Sequence, residues 1–322
     1  GYDRLPITLP RGNSESKKTK VQLLRDLAKD SLVGMGYSEI QTYSFVSPKG
    51  MDHIRVAQNS PERDSIRLLN PLGEENSVMR TMLMPSMLEA LSRNYTRNIS
   101  GVRAFELGNT FHRTSGTDGL HAEQENLCIA CYGEGEDFFT LKGAVEELLK
   151  KMGIHEVEYE AESSLGTYHP GRCAVIRKES IQLGVIGELH PDVTEIYDIA
   201  ARTWCCELNF SRIAEAADTE HHYSPLPRYP STARDISLLV DEDTTVSSIK
   251  AIIGDNGAGL LEKVELFDIY RGKQVPDGKK SASFTLTYRA SDRTLTDSEV
   301  AKVHELVLSA LNRELNAVLR DL

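Results

Sequence analysis

LEKVELFDIY (Leu261–Tyr270), a turn over Gly272–Gly278 and then SASFTLTYR (Ser281–Arg289) decide the reading of the C-terminal third. Both segments alternate apolar and polar residues as half-buried strands do, with Val264, Leu266 and Ile269 among the apolar positions of the first. Upstream, Arg234–Val240 reads as a strand and Val246–Ile253 as a helix. Downstream, Thr296-Asp-Ser-Glu299 carries a capping signal for a helix running to about Leu315, and Ala317–Leu319 offers a short last strand. The order β-α-β-β-α-β within about ninety residues is the split βαβ, ferredoxin-like motif.

Outward from there, AADTEHHYSPLPRYP (Ala216–Pro230) has three Pro, no apolar period and two adjacent His, which read as solvated rather than metal-bound. Before it lies a longer mixed region. Val21, Leu24, Leu27, Ala28 and Leu32 recur at helical steps, and Gly34 and Gly36 stop that helix. Ile40–Val46 reads as a strand, and Arg67–Gly73 as a short strand entering a turn. Pro85 opens a helix through MPSMLEALSRNYTRN. Val102–Gly108, Leu127–Tyr132, Cys173–Arg177, Leu183–Leu189 and Trp204–Leu208 read as strands, and Leu141–Met152 as an amphipathic helix closed by Gly153. Strands with interspersed helices indicate an α+β domain around a mostly antiparallel sheet. The expected divisions are a linker over 1–18, an α+β domain over 19–215, a linker over 216–228 and the ferredoxin-like domain over 229–322.

The 322 residues are 40% hydrophobic and 26% charged, which excludes collagen, a disordered chain and a small disulfide scaffold. No apolar run reaches the roughly 18 residues of a membrane span. Gly1 is followed by no charged-then-apolar leader, so no signal peptide is expected and the chain reads as a piece of something longer. Five Cys in a chain this size fit reduced thiols and a cytoplasmic location. Cys128 and Cys131 have a C-x2-C spacing, but they lie in an apolar strand, where residues three apart face opposite sides. Packing is therefore expected there, and no metal.

Phosphate-cradling and hydrolase motifs are missing: there is no G-x-x-x-x-G-K-[ST], G-x-G-x-x-G, G-x-S-x-G or H-E-x-x-H. Asp255–Gly259 reads as a turn, His169-Pro-Gly-Arg172 as a compact polar turn, and Glu156–Glu162 as a half-exposed strand.

The net charge of −11 excludes a basic nucleic-acid coat, so any nucleic-acid contact must be local. Arg271–Arg293 provides such a patch. Arg271, Lys273, Lys279, Lys280, Arg289 and Arg293 face only Asp277 and Asp292 within it, and Phe267, Tyr270, Phe284 and Tyr288 are interleaved. Cations neutralise phosphates and aromatic faces stack on unpaired bases, at about 1–3 kcal/mol per base. The competing reading is a hairpin with solvated Lys and core aromatics.

These residues carry a resemblance. Residues 19–212 resemble the catalytic-like module of the bacterial phenylalanyl-tRNA synthetase β subunit, through GYSEIQTYSFVSP, LLNPLGEENSVMRTMLMPSMLEAL, VRAFELGNTF, YHPGR and LGVIGELHP. Residues 228–322 resemble that family's ferredoxin-fold anticodon-binding domain, through RYPSTARDISLLVDE, VELFDIYRG and GKKSASFTLTYRASDRTLTDSEV. The resemblance implies an α2β2 enzyme that joins phenylalanine to tRNA(Phe) with ATP and Mg2+, whose active site lies on α. It implies a class II synthetase fold here without the chemistry, with editing and magnesium sites upstream of this chain. The sequence agrees in lacking the pattern. Phe111-His-Arg-Thr114 is the nearest approach to the ATP-binding Arg and acid, with Thr in the acidic place, and Glu106 is the tempting alternative acid.

The resemblance further implies that Tyr270 stacks on an anticodon base while Asp268 and Ser281 hydrogen-bond to it. Arg271, Lys273, Lys279, Lys280, Arg289 and Arg293 would then serve the tRNA backbone. Val21, Leu24, Ala28 and Leu32 would form an apolar stripe meeting the α subunit. No catalytic residue, metal ligand or bound cofactor is expected in this chain, nor a DNA or membrane partner. Two alternatives stay open: a self-sufficient class II ligase, and a ferredoxin-like small-molecule-sensing regulatory protein with a degenerate ligase domain.

Overall fold

The computed structural model describes residues 2–4, 17–114, 121–220, 223, 225–272 and 274–320. The chain forms two compact units, Gly1–His221 and His222–Leu322. Most of the 1–18 segment, His221, His222 and Lys273 lie outside the described residues.

The first unit runs α1 (Lys20–Gly34), β1 (Ser38–Glu39), β2 (Phe45–Val46), α2 (Gly50–His53), β3 (Val78–Met79), α3 (Met84–Tyr95), β4 (Val102–His112), β5 (Ala122–Tyr132), α4 (Phe138–Lys151), β6 (Glu158–Ala161), β7 (Tyr168–Lys178), β8 (Ile181–Leu189), α5 (Pro191–Ile196), β9 (Thr203–Asn209) and α6 (Phe210–Ala216). Seven strands form one sheet in the order β1-β4-β5-β9-β8-β7-β6. Only the β1–β4 pair is parallel. A separate two-stranded sheet joins β2 to β3.

The large sheet is apolar on both faces, so its central strands read as continuous apolar runs. One face packs Leu24, Ala28 and Leu32 of α1 with Leu141, Val145 and Leu148 of α4 and Phe210 and Ile213 of α6. The other packs Met84, Met87, Leu88 and Leu91 of α3 with Val193 of α5. Cys131 belongs to the first cluster and Cys128 to the second, as strand alternation requires. All five cysteines are buried free thiols.

Local chemistry sets the helix ends. Thr19 and Gln22 form a capping box on α1, and Gly36 takes φ +86° just beyond it. Gly153, after α4, has φ +71°, and a Cβ there would lie 1.5 Å from the Asp218 carbonyl oxygen. Only glycine satisfies both conditions.

Several expectations need correction. Ile40–Val46 is not one strand, because only Phe45–Val46 is paired. The Thr42 N–H donates instead to the Glu106 carboxylate, at 3.2 Å, so the backbone leaves the ladder. Arg67–Gly73 contributes a single bridge, Arg67 to Val78, and its Leu69 and Leu72 are exposed. The HPGR segment is an irregular part of β7, with a register shift between Tyr168 and Cys173. The α1 stripe is the chain's own core: Leu24, Ala28 and Leu32 are 2%, 0% and 0% exposed, and only Val21 of the four lies outward.

The second unit runs β10 (Thr232–Asp241), α7 (Val246–Asp255), β11 (Leu261–Tyr270), β12 (Lys279–Tyr288), α8 (Asp297–Leu315) and β13 (Val318–Leu319). Its sheet order is β11-β12-β10-β13, all antiparallel. Ile249 and Ile253 of α7 and Val300, Val303 and Val307 of α8 pack on Ile236, Leu238, Ala282, Phe284 and Leu286. One sheet face is therefore covered by helices, and no described helix covers the other, the open face. The expected capping box on α8 is present, Thr296 bonding Glu299 reciprocally. Phe284 and Tyr288, read as possible stacking aromatics, are fully buried on the helix side.

Candidate nucleic-acid interface

The open face of the second unit follows from strand register. Tyr270 of β11 lies opposite Ser281 of β12, and Asp268 opposite Ser283. A bulge between Leu266 and Asp268 sets Phe267 out of the ladder, and its ring is exposed. Past the bulge the alternation resumes, so Asp268 and Tyr270 share the open face with Ser281 and Ser283. On β10 the same face carries Asp235, Ser237, Leu239 and Asp241, opposite Thr285, Ser283, Ser281 and Lys279. Two of these pairs are hydrogen-bonded: Thr285 Oγ1 donates to Asp235 at 2.6 Å, and the Ser237 and Ser283 hydroxyls lie 2.9 Å apart.

Tyr270 is 38% exposed, so it is no core residue. Its ring has an unusual seat. A Cβ added at Gly272 would fall 2.3 Å from the Tyr270 hydroxyl, so glycine there makes room for the ring. The Arg320 guanidinium lies over the ring, 5.1 Å from its centroid. Arg320 donates to Gln274 Oε1 at 2.6 Å, and its backbone N–H donates to the Ser237 carbonyl at 2.8 Å. Ser281 is 1% exposed. Arg320 did not stand out in the sequence, because its relation to Tyr270 arises only when β13 joins the sheet, and Gly272 was read only as the start of a turn.

The basic residues divide. Lys279 is on the open face, ion-paired with Asp241, and Arg271 pairs with Glu242. Lys280 is not on that face. One step from Ser281, it shares the helix side with Ala282, is 7% exposed, and donates to the Glu242 carbonyl at 2.7 Å. Arg289 and Arg293 lie past the far end of β12, Arg289 roughly 27 Å from Ser281 at about 3.4 Å per residue. Arg289 bonds Glu262 and the Tyr229 carbonyl, while Arg293 bonds Asp292 and Glu299. The structure thus brings Asp268, Tyr270, Arg271, Lys279 and Ser281 to one end of the sheet and removes Lys280, Arg289 and Arg293 from it. Lys273 is outside the described residues.

In the first unit, the residues considered for ATP chemistry are committed elsewhere. Glu106 accepts from Arg80 Nη1 at 2.8 Å and from the Thr42 hydroxyl at 2.7 Å, in a buried ion pair. Arg113 bonds Asp64 and the Ser65 carbonyl. A cavity of about 470 Å³ lies against the sheet, lined among others by His112, Asn126, Tyr168, Glu207 and Arg212. Glu207 is the buried carboxylate that sequence reading passed over. It accepts the N–H groups of Leu83 and Met84 at 3.0 and 3.1 Å and the Asn126 amide at 2.9 Å. Burial pushes its carboxyl upward, against these three bonds. It ties the start of α3 to the sheet. No group of three or more residues placed to hold a metal ion occurs among the described residues, and no described helix is long and apolar enough to cross a membrane.

Comparison with known proteins places this geometry in context. A family model described as phenylalanyl tRNA synthetase beta chain CLM domain matches residues 5–210, and one described as ferredoxin-fold anticodon binding domain matches residues 227–320. The phenylalanine–tRNA ligase beta subunit of Clostridium acetobutylicum is 41% identical over 321 residues, covering 99% of this chain and 40% of that protein. The corresponding subunit of Clostridium tetani is 42% identical over 323 residues, with the same shares. The chain thus spans about 40% of the length of these curated relatives. In fold, it is similar to pyrrolysyl-tRNA synthetase from Desulfitobacterium hafniense, at a TM-score of 0.52 and 18% identity, over 62% of this chain and 70% of that one. None of these relatives carries a regulatory name, so the small-molecule-sensing alternative gains nothing from them.

Proposed function

The chain belongs to the phenylalanyl-tRNA synthetase β-chain CLM domain family, and from that premise we propose that it is the assembly and tRNA-contacting portion of a phenylalanine–tRNA ligase β subunit. Its second unit would hold the anticodon of tRNA(Phe), and its first unit would support the α subunit, where ATP, Mg2+ and phenylalanine react. The observation that carries the tRNA reading is the half-exposed Tyr270 beside Asp268 on the sheet face that no described helix covers. An aromatic face there stacks on an unpaired base, and the carboxylate accepts from a base N–H. On this reading amino-acid activation belongs to the α subunit, and Arg113 and Glu106 serve ion pairs with Asp64 and Arg80.

For assembly, the outward side of α1 supports the reading better than its buried stripe. Leu23 and Val33 are exposed apolar residues on that side, and Val21 is exposed at the first turn. The tRNA reading is tested by filter binding of tRNA(Phe) to the assembled ligase. Tyr270→Ala should weaken binding by about 1–3 kcal/mol with phenylalanine-dependent pyrophosphate exchange unchanged. Unaltered affinity in a folded variant would refute it.

A further inference from the structure

On the open sheet face, we infer that Arg320 is a built-in competitor for the base-stacking surface of Tyr270, so that an RNA base must displace a guanidinium to bind. The inference rests on the tRNA reading above and adds the residue that sets its threshold.

Three observations converge. The guanidinium lies over the Tyr270 ring at 5.1 Å from the centroid, within the range of a cation–π contact. It is held there from two sides, by the bond to Gln274 in the β11–β12 turn and by the backbone bond to Ser237 that extends the β10–β13 ladder. The hydroxyl end of the ring lies over Gly272, where a Cβ would fall 2.3 Å from it.

The fourth observation concerns access. Ser281 lies directly opposite Tyr270 in the ladder and is 1% exposed, and Ser283 beside it is 6% exposed. Hydroxyls so covered cannot meet a base until the surface above them opens. The described arrangement is therefore a closed one. Arg320 differs from Arg271 and Lys279 in its described partners: they hold carboxylates, whereas it holds a neutral amide and a ring. Once displaced by a base, it is a cation beside the RNA backbone. The same side chain thus opposes stacking and favours the phosphate, and the two effects separate with salt.

The test is filter binding of a tRNA(Phe) transcript to the 322-residue chain at about 0.05 and about 0.3 M KCl, where screening removes most of the phosphate contribution. At the higher salt, Arg320→Ala should bind roughly two- to fivefold tighter than the parent, the loss of an exposed cation–π competitor. At the lower salt the gain should shrink or reverse. In a Tyr270→Ala background, Arg320→Ala should give no gain at either salt. Arg320→Lys, which keeps the charge, should lie between parent and Ala at high salt and match the parent at low salt.

Weaker or unchanged binding by Arg320→Ala at high salt, with Tyr270→Ala still impaired, would overturn the competitor role and leave the tRNA reading standing. If Tyr270→Ala bound tRNA as well as the parent, the stacking reading would fall, and this inference with it.

Discussion

Glu299 shows how much a single exposed carboxylate does here. The Thr296 N–H donates to it, Arg293 pairs with it, and the Thr296 hydroxyl bonds it, which together hold its carboxyl down at about 2. A carboxyl lowered in the folded state adds stability above its unfolded value, and that stability is lost as pH falls through the folded one. The second unit should therefore lose stability between about pH 4.5 and about pH 2. Glu299→Gln keeps a capping acceptor and removes the titration, so acid unfolding followed by circular dichroism should become less steep in that window. An identical acid profile for both proteins would refute the assignment. Lys280 gives the opposite lesson. Its ammonium serves the Glu242 carbonyl, so Lys280→Ala should lower the melting temperature and leave the salt dependence of tRNA binding unchanged. A slope reduced by about one unit would return it to the phosphate-contacting set. Its placement was legible in principle: Lys280, Ala282, Phe284 and Leu286 share one parity, and three of the four are plainly core residues.

At the scale of elements, helix α1 carries two kinds of apolar residue that sequence spacing alone did not separate. Leu24 packs in the core and Leu23 is 56% exposed. Leu24→Asp buries an unpaired carboxylate and should unfold the first unit. Leu23→Asp should leave thermal unfolding nearly unaltered while weakening association with the α subunit in analytical ultracentrifugation. Undiminished association would remove the outward side of α1 from the interface. The elements legible in the sequence were those whose bonds are local: α1 and α8 with their capping boxes, and the alternating β10, β11 and β12. Ile40–Val46 misled because Glu106, sixty-four residues from Thr42, takes the bond a ladder would have used. The seat of Tyr270 was illegible for the same reason. Arg320 reaches it from beyond a two-residue strand, fifty positions away in the chain.

At the scale of the whole molecule, an acidic chain with net charge −11 is proposed to hold a polyanion. Among the described cations near the open face, Lys263 pairs with Glu265, Arg271 with Glu242, and Lys279 with Asp241, while Arg320 holds Gln274 and the Tyr270 ring. Each phosphate contact made by the three paired cations must then replace a carboxylate, which lowers the net counterion release. Log affinity for tRNA(Phe) against log salt should accordingly fall with a slope no steeper than about three, at about 0.7 per single-strand phosphate neutralised. A slope beyond about five would mean that cations elsewhere track the RNA.

The distribution of thiols turns the protein into its own stopwatch. Cys128, Cys131, Cys173, Cys205 and Cys206 all lie in the first unit, and all are buried. Burial pushes the Cys131 and Cys206 thiols upward and that of Cys173 to about 12, while contact with Cys205 raises Cys128 before burial adds to it. A maleimide or disulfide reagent therefore finds all five thiols buried in the native chain. Each modification event records one opening of the seven-stranded sheet, and the four-stranded unit stays silent throughout. Alkylation rates, counted by mass, would time the unfolding of one half of the molecule without any label having been added to the other.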